Sequence, residues 1–317
     1  MAYYRNQLPQ LSKNIFITDG GLETVLLFQQ GWELPDFAAF TLLDRPLGTA
    51  ALQSYFSTYG QLAKTYRMGL VLESPTWRAN TDWGQRQGYG AAELADINRR
   101  AIALLETIRT DYATPQSPIV ISGCMGPRGD GYSLNFMMSA TEAEQYHQAQ
   151  IDSFRDTAAD LVSAVTMTYP EEAIGIVRAA QNAQMPVVIS FTVETDGTLP
   201  NGMSLQKAIR IVDEATNSGP AYYMINCAHP IHFDRSIINQ GDWVERIRGI
   251  RANASIMSHA ELDEAETLDE GNPQDLGERF YILKQLLPHL TVLGGCCGTD
   301  HRHIEAICQV CSPVSVG

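Results

Sequence analysis

The chain is predicted to fold as a (β/α)8 barrel, and three observations carry this. Eight short apolar runs recur along its 317 residues, and continuous apolar runs are what strands buried on both faces show. Amphipathic stretches long enough for helices separate them. The length suits one barrel, typically about 250 residues plus insertions. An open doubly wound sheet is the alternative. It would show fewer strands and a glycine-rich phosphate loop, which this sequence lacks.

The strand candidates run in order from Ile15-Phe16-Ile17-Thr18, which stops at Asp19-Gly20-Gly21, through Leu70-Val71-Leu72-Glu73 to Ile119-Val120-Ile121-Ser122. Leu161-Val162-Ser163-Ala164-Val165-Thr166, Val187-Val188-Ile189-Ser190-Phe191 and Tyr222-Tyr223-Met224-Ile225-Asn226 follow. A weaker run lies at Gly249-Ile250-Arg251-Ala252-Asn253, and the last is Leu290-Thr291-Val292-Leu293. Helical patterns fall between them over Thr49–Met68, Ala91–Asp111, Thr141–Ala159, Glu171–Gln184, Ser204–Ser218, Asp275–Leu287 and Thr299–Gln309. Thr141 with Glu144 reads as a capping box for the third of these. The acidic stretch from Glu261 to Asn272 reads as a loop after the seventh strand, on the face where barrel sites are built. No low-complexity linker breaks the chain, so residues 1–317 are expected to form a single domain.

Composition narrows the function. At 44% hydrophobic residues the chain can bury a substantial core. A formal net charge of -14 disfavours nucleic acid and anionic membranes as partners, because both need a basic footprint. The start, Met1-Ala2-Tyr3-Tyr4-Arg5-Asn6-Gln7, lacks the apolar core of a signal peptide, and no apolar run is long enough to span a bilayer. Six cysteines in a chain this long are not a secreted disulfide scaffold. The expected compartment is the reducing cytoplasm.

Cysteine placement carries the chemistry. Cys296 and Cys297 are adjacent within Gly294-Gly295-Cys296-Cys297-Gly298, where an apolar strand ends and glycines allow a sharp bend. Cys227 ends another apolar strand. A single free cysteine is usually a small buried hydrophobe. Three at strand ends form a soft donor set that suits Zn2+ and leaves its fourth tetrahedral position open for chemistry. His229 and His232 follow Cys227, and His301 and His303 follow the pair; without a familiar ligand spacing they read as loop or helix-start residues. Cys308 and Cys311 form a C-x-x-C without the βαβ setting of a redox motif, so they are expected on or just past the last helix. Cys124, after the third strand, is expected in the pocket wall. At the first strand end, Asp19-Gly20-Gly21 can present backbone N–H groups to a substrate carboxylate, an arrangement that could equally be an ordinary turn.

Asp19-Gly20-Gly21, Asn226-Cys227 and Gly294-Gly295-Cys296-Cys297-Gly298, in this order and placement, resemble the homocysteine S-methyltransferase family from about residue 15 to 310. The resemblance implies a zinc-dependent barrel with Cys227, Cys296 and Cys297 as ligands. It implies a substrate-binding segment at Asp19, Gly20, Gly21 and Glu23 for the amino-acid end of the thiol, and Asn226 in support of the ligand strand. The reaction implied is methyl transfer from a sulfonium or ammonium donor to a zinc-bound thiol, homocysteine by default, giving methionine. Two departures stand out. The family's fourth-strand glutamate, which holds the substrate ammonium, aligns with Val165, so Glu73 or Glu194 would have to replace it, or the acceptor is another thiol. The stretch Ser74–Asn80 also departs from the family in the donor region, where Glu73, Thr76, Trp77 and Arg78 are candidate donor-pocket residues. Arg78 could clamp a donor carboxylate or be a rim arginine. Trp77 and Trp83 could stack on a donor cation or pack at the rim.

The expected partners are a small thiol and a small methyl donor, which no sequence feature names, and the chain has no room for a cobalamin domain. A zinc hydrolase of the amidohydrolase type would carry paired histidines at the first strand end, where this chain has Thr18-Asp19-Gly20-Gly21. A non-catalytic thiol- or zinc-binding barrel is the remaining alternative, and a demethylation assay with a thiol panel separates it from an enzyme.

Overall fold

The computed structural model describes residues 1–312 except 133, 135, 239 and 266. Eight parallel strands close into a barrel in chain order. They are β1 (Phe16–Ile17), β2 (Gly69–Glu73), β3 (Ile119–Met125), β4 (Leu161–Met167), β5 (Val187–Phe191), β6 (Tyr222–Ala228), β7 (Ile247–Ala252) and β8 (Val292–Gly295). β8 closes on β1 with Val292 opposite Phe16 and Leu293 opposite Ile17. All eight apolar runs became strands, and the barrel was the correct alternative.

The helices are α1 (Leu22–Thr24), α2 (Pro46–Tyr66), α3 (Thr81–Arg86), α4 (Ala91–Tyr112), α5 (Ala140–Arg155), α6 (Pro170–Asn182), α7 (Leu205–Thr216), α8 (Pro230–Ile237), α9 (His259–Glu264), α10 (Pro273–Leu286) and α11 (His301–Cys311). The seven long ones match the helical patterns to within a few residues. The cap of α5 does not. Ser139, not Thr141, is its N-cap, and the box partner is Glu142. The Glu142 carboxylate accepts from Ser139 N–H at 2.8 Å and the Ser139 hydroxyl accepts from Glu142 N–H at 3.3 Å. Thr141 already lies inside the helix, and Glu144 accepts from Asn182 of α6 instead. The short helices α3, α8 and α9 lack the length for a readable period and sit in loops at the C-terminal end of the barrel.

Alternation along the strands divides the core. Phe16, Val71, Val120, Val188, Tyr222 and Val292 fill the barrel, while Ile17, Leu70, Ile121, Ile189 and Leu293 pack outward on the helices. The N-terminal segment plugs the bottom with Leu8 and Tyr4. Asp160 pins it there, accepting from the N–H groups of Tyr3 (2.6 Å) and Tyr4 (2.8 Å), from Ile121 N–H (2.9 Å) and from the buried Arg109 (3.0 Å). Among the described residues no helix is long and apolar enough to cross a membrane.

Removing one member of a buried ion pair leaves the other uncompensated, which costs about 3–5 kcal/mol. Asp160→Asn should therefore lower the denaturant-unfolding free energy by about that amount with the slope unchanged. A loss below ~1 kcal/mol would show that the N-terminal plug does not depend on this carboxylate.

Candidate metal centre

Regular alternation alone would waste the site. In β6, Tyr222, Met224 and Asn226 face inward, so Cys227 should point out. Pairing with β7 slips between Asn226 and Ala228, and Cys227 takes a left-handed backbone with φ +54°. Both Asn226 and Cys227 then face the barrel mouth. Pairing between β4 and β5 slips likewise between Ala164 and Met167, Thr166 stands at φ +64°, and Val165 and Thr166 both reach the mouth. Such bulges re-aim side chains next to functional sites, and positive φ on residues with a Cβ costs about 1–3 kcal/mol each. Asn226 secures both bulges. Its Oδ1 accepts from Thr166 N–H (2.9 Å) and the Ser190 hydroxyl (2.6 Å), and its Nδ2 donates to Thr166 Oγ1 (2.9 Å). These bonds commit most of its polar capacity to protein rather than to a substrate.

The β8 end brings in the other two thiols. Gly295 has no room for a side chain: a Cβ there would lie 2.1 Å from Thr299 Oγ1. Gly298 turns the chain at φ +78°. Cys296 N–H donates to Ala252 O (2.8 Å) and the Thr299 hydroxyl donates to Cys296 O (2.7 Å). The sulfurs of Cys227, Cys296 and Cys297 all lie within 4.8 Å of one another, with Cys227 and Cys297 3.8 Å apart. Cys227 is buried, Cys296 half-buried and Cys297 exposed. The Tyr132 hydroxyl donates to Cys227 Sγ at 3.3 Å, and His259 Nε2 lies 2.6 Å from Cys227 O. Three thiols this close hold one negative charge readily and three only with a cation. Hydrogen bonds from Cys296 and Cys297 bring the Cys227 thiol well below its usual range, while the Cys227 sulfur pushes Cys296 up to about 12 and Cys297 well above its usual range.

Below the thiols, Arg251 of β7 fixes the strand ends. Its guanidinium pairs with Asp19 (2.7 Å) and with Glu73, and donates to Gly295 O (3.1 Å) and Gly20 O (3.3 Å). Tyr55 donates to the other Asp19 oxygen at 3.0 Å. Burial pushes the Asp19 carboxyl up to about 6 against the pull of Arg251. Glu73 is thus held by Arg251. Gly21 N–H is committed to Thr299 O (3.0 Å), so that end of the Asp19-Gly20-Gly21 segment is bonded to the loop after β8 rather than left as an open anion nest.

The expected donor pocket is only partly assembled. Thr76 is fully buried, donates to Cys124 O (2.7 Å) and does not line the cavity. Arg78 lines the cavity, lies 3.8 Å from the ring centroids of both Trp77 and Trp83, and donates to Gly129 O (3.1 Å) and Asp130 O (2.7 Å), while its Nε has no partner. Trp77 does line the cavity, with one ring face covered by Arg78. Trp83 packs behind, donating to Arg128 O (3.0 Å). Glu194 is also misplaced as a substitute acid. It sits outside the main cavity, 3.6 Å from His259.

His229 caps α8, His232 meets Ile256 O (2.9 Å), His301 opens α11, and His303 is buried against Asp300; none joins the thiols. Cys308 and Cys311 are buried in α11, and Cys124 stands in the cavity wall as expected. The cavity holds about 340 Å³. Among the described residues its wall carries five carboxylates (Asp19, Glu23, Glu73, Asp130, Asp269) against two guanidiniums (Arg78, Arg251). Sequence reading missed Arg251, Tyr132, Tyr55 and His259. Arg251 had a signal: a lone charge inside a buried strand needs a partner inside the barrel.

The sequence profile described as homocysteine S-methyltransferase matches residues 16–311. The chain belongs to the homocysteine S-methyltransferase family. It is similar to betaine–homocysteine S-methyltransferase 1 of Rattus norvegicus, with 26% identity over 192 residues, or 55% of this chain and 45% of the rat protein. It is similar to methionine synthase of Mycobacterium leprae, with 24% identity over 68% of this chain but 18% of that protein. Homocysteine S-methyltransferase 3 of Arabidopsis thaliana is 20% identical over 76% of each chain. This chain therefore spans less than half the length of the first two. The metallated homocysteine methyltransferase MmuM of Escherichia coli has the same fold, with a TM-score of 0.74, 17% identity, and coverage of 93% of this chain and 95% of that one.

Glu23, at the start of α1, has protein packed around it although it touches the cavity, and burial pushes its carboxyl from 4.5 up to about 7. Between those values the folded chain holds a proton that the unfolded chain releases. Stability contributed here is present below the lower value and is lost as pH rises to the higher, by up to about 3 kcal/mol. Glu23→Gln lacks this ionisation, so it should be more stable than the parent at pH 8 and equal to it near pH 4.5 in chemical denaturation. The same difference at both pH values would refute the assigned environment.

Proposed function

We propose that this chain is a zinc-dependent S-methyltransferase that moves a methyl group from a sulfonium or ammonium donor to the sulfur of homocysteine, giving methionine. The observation that carries this reading is the convergence of three thiols at the open mouth of a barrel of this family. The donor set fits the metal. Zinc–thiolate bonds of about 2.3 Å in a tetrahedron put sulfurs roughly 3.8 Å apart, the separation seen between Cys227 and Cys297. Cys227, Cys296 and Cys297 would hold the ion, and His259 and Tyr132 would steady Cys227. Zinc with a free fourth position supplies the Lewis acidity that keeps a bound acceptor thiol deprotonated near neutral pH.

The chain's own residues do the rest. The Tyr132 hydroxyl, pushed well above its usual range by burial and then by the neighbouring thiols, stays protonated and donates to Cys227 Sγ. Arg251 ties Gly295 to Asp19 and Glu73, which fixes the turn that presents Cys296 and Cys297. The excess of carboxylates in the cavity wall favours a cationic donor over a neutral or anionic one. The uncovered part of the Trp77 ring can flank such a cation. A sulfonium or ammonium donor becomes neutral at the reacting centre as the methyl leaves, so no general base is needed in that step. Alignment of donor and acceptor is the main contribution, on the order of 7–11 kcal/mol.

We read residues 1–317 as one catalytic unit, with a small thiol and a small donor as partners and a reducing cytoplasm as the fitting compartment for six free cysteines. Metal analysis should find about one zinc per chain. Cys227→Ala, Cys296→Ala and Cys297→Ala should each lose tight zinc binding and homocysteine methylation, while Cys308→Ala and Cys311→Ala keep both. Chelator treatment should abolish transfer, and zinc with reductant should restore it, since freed neighbouring thiols oxidise. Full activity in metal-free protein would overturn this function.

A further inference from the structure

The carboxylates of the cavity wall are not equivalent. Asp19 is held by Arg251 and Tyr55, and Glu73 by Arg251. Asp130 accepts from Tyr132 N–H (3.1 Å), and Asp269 accepts from the Ser255 hydroxyl (2.6 Å) and Gly271 N–H (2.9 Å). Of these five, among the described residues, only Glu23 lacks a hydrogen bond or ion pair from another residue's side chain or backbone. It lines the same cavity as Cys227, Cys296 and Cys297. From β4 that cavity is lined by Val165, which cannot pair with a cation.

An unpaired carboxylate in a half-buried position carries a desolvation cost that a cation would offset. Neither guanidinium of the cavity bonds Glu23: Arg251 serves two acids, and Arg78 directs Nη1 and Nη2 to loop carbonyls, its Nε having no partner. A cationic group on a ligand would meet this carboxylate from the cavity side. We propose that Glu23 receives the α-ammonium of an amino-acid thiol acceptor and so sets the enzyme's preference for homocysteine over thiol acids that lack the amine. This rests on the reading of the three thiols as the acceptor-sulfur site. Glu23 is the specificity-determining residue, and Val165 leaves the β4 part of the wall apolar for the methylene chain.

The test uses the full chain loaded with cobalt(II), whose visible absorption reports a thiol entering the metal site without turnover. L-homocysteine and 4-sulfanylbutanoate, its analogue without the amine, are titrated separately. The parent protein should bind homocysteine roughly 10- to 100-fold more tightly, the range of one charge-assisted hydrogen bond. Glu23→Gln should bring the two affinities to within about threefold, with cobalt stoichiometry and the 4-sulfanylbutanoate affinity unchanged. Glu23→Asp should restore part of the preference. In turnover the Glu23→Gln effect should fall on the KM for homocysteine rather than on kcat. A preference for homocysteine that survives in Glu23→Gln, or no preference in the parent, overturns the Glu23 assignment while leaving the acceptor site standing. A parent protein whose cobalt spectrum responds to neither thiol overturns the acceptor site as well.

Discussion

Asn226 bridges two strand ends that both leave regular geometry. With one side chain it satisfies Thr166 N–H, Thr166 Oγ1 and Ser190 Oγ, and its own backbone precedes the bulge that swings Cys227 inward. Without these bonds, two residues with positive φ would relax toward ordinary strand geometry, and Cys227 would turn toward the helices. The distance from Cys227 to the β8 thiols, and with it the charge sharing among three sulfurs, follows from this constraint. The barrel supplies the platform, and the bulges convert a strand end into a ligand set.

A second layer works by charge. Among the described residues Arg251 is the one cation inside the mouth with two buried carboxylate partners, and its bonds to Gly20 O and Gly295 O tie the ends of β1 and β8 together beside Cys296. The cavity above it keeps a surplus of negative charge. Both proposed substrates would answer that surplus: the acceptor through its ammonium at Glu23, the donor through its sulfonium or ammonium centre. The cost is carried as stability, since Asp19 and Glu23 are both held in surroundings that disfavour their ionised forms.

Much of this was legible in the sequence. Continuous apolar runs marked all eight strands because a parallel barrel strand is buried on both faces, and three thiols at strand ends marked the candidate metal centre because few other roles need adjacent cysteines between glycines. What escaped depends on pairing between distant segments. The bulges at Thr166 and Cys227 arise from register against β5 and β7, which no local pattern encodes. Arg78 stands in the expected donor region, where two tryptophans and two loop carbonyls surround it. Glu73 and Glu194 were candidates for an ammonium partner by type and strand position. One is taken by Arg251, and the other lies beside His259 outside the cavity. The cap of α5 was placed two residues late because Thr141-Glu144 and Ser139-Glu142 offer the same spacing, and only the path of the preceding loop decides between them.

The account's central claim is that Cys227, Cys296 and Cys297 form a three-sulfur zinc site whose fourth position takes the acceptor. X-ray absorption at the zinc edge, on the parent protein with and without L-homocysteine, tests it most directly. The account predicts three sulfur neighbours and one lighter atom without the thiol, and four sulfurs at about 2.3 Å when it is added. A first shell that keeps three sulfurs, or fewer, in the presence of saturating homocysteine would contradict it.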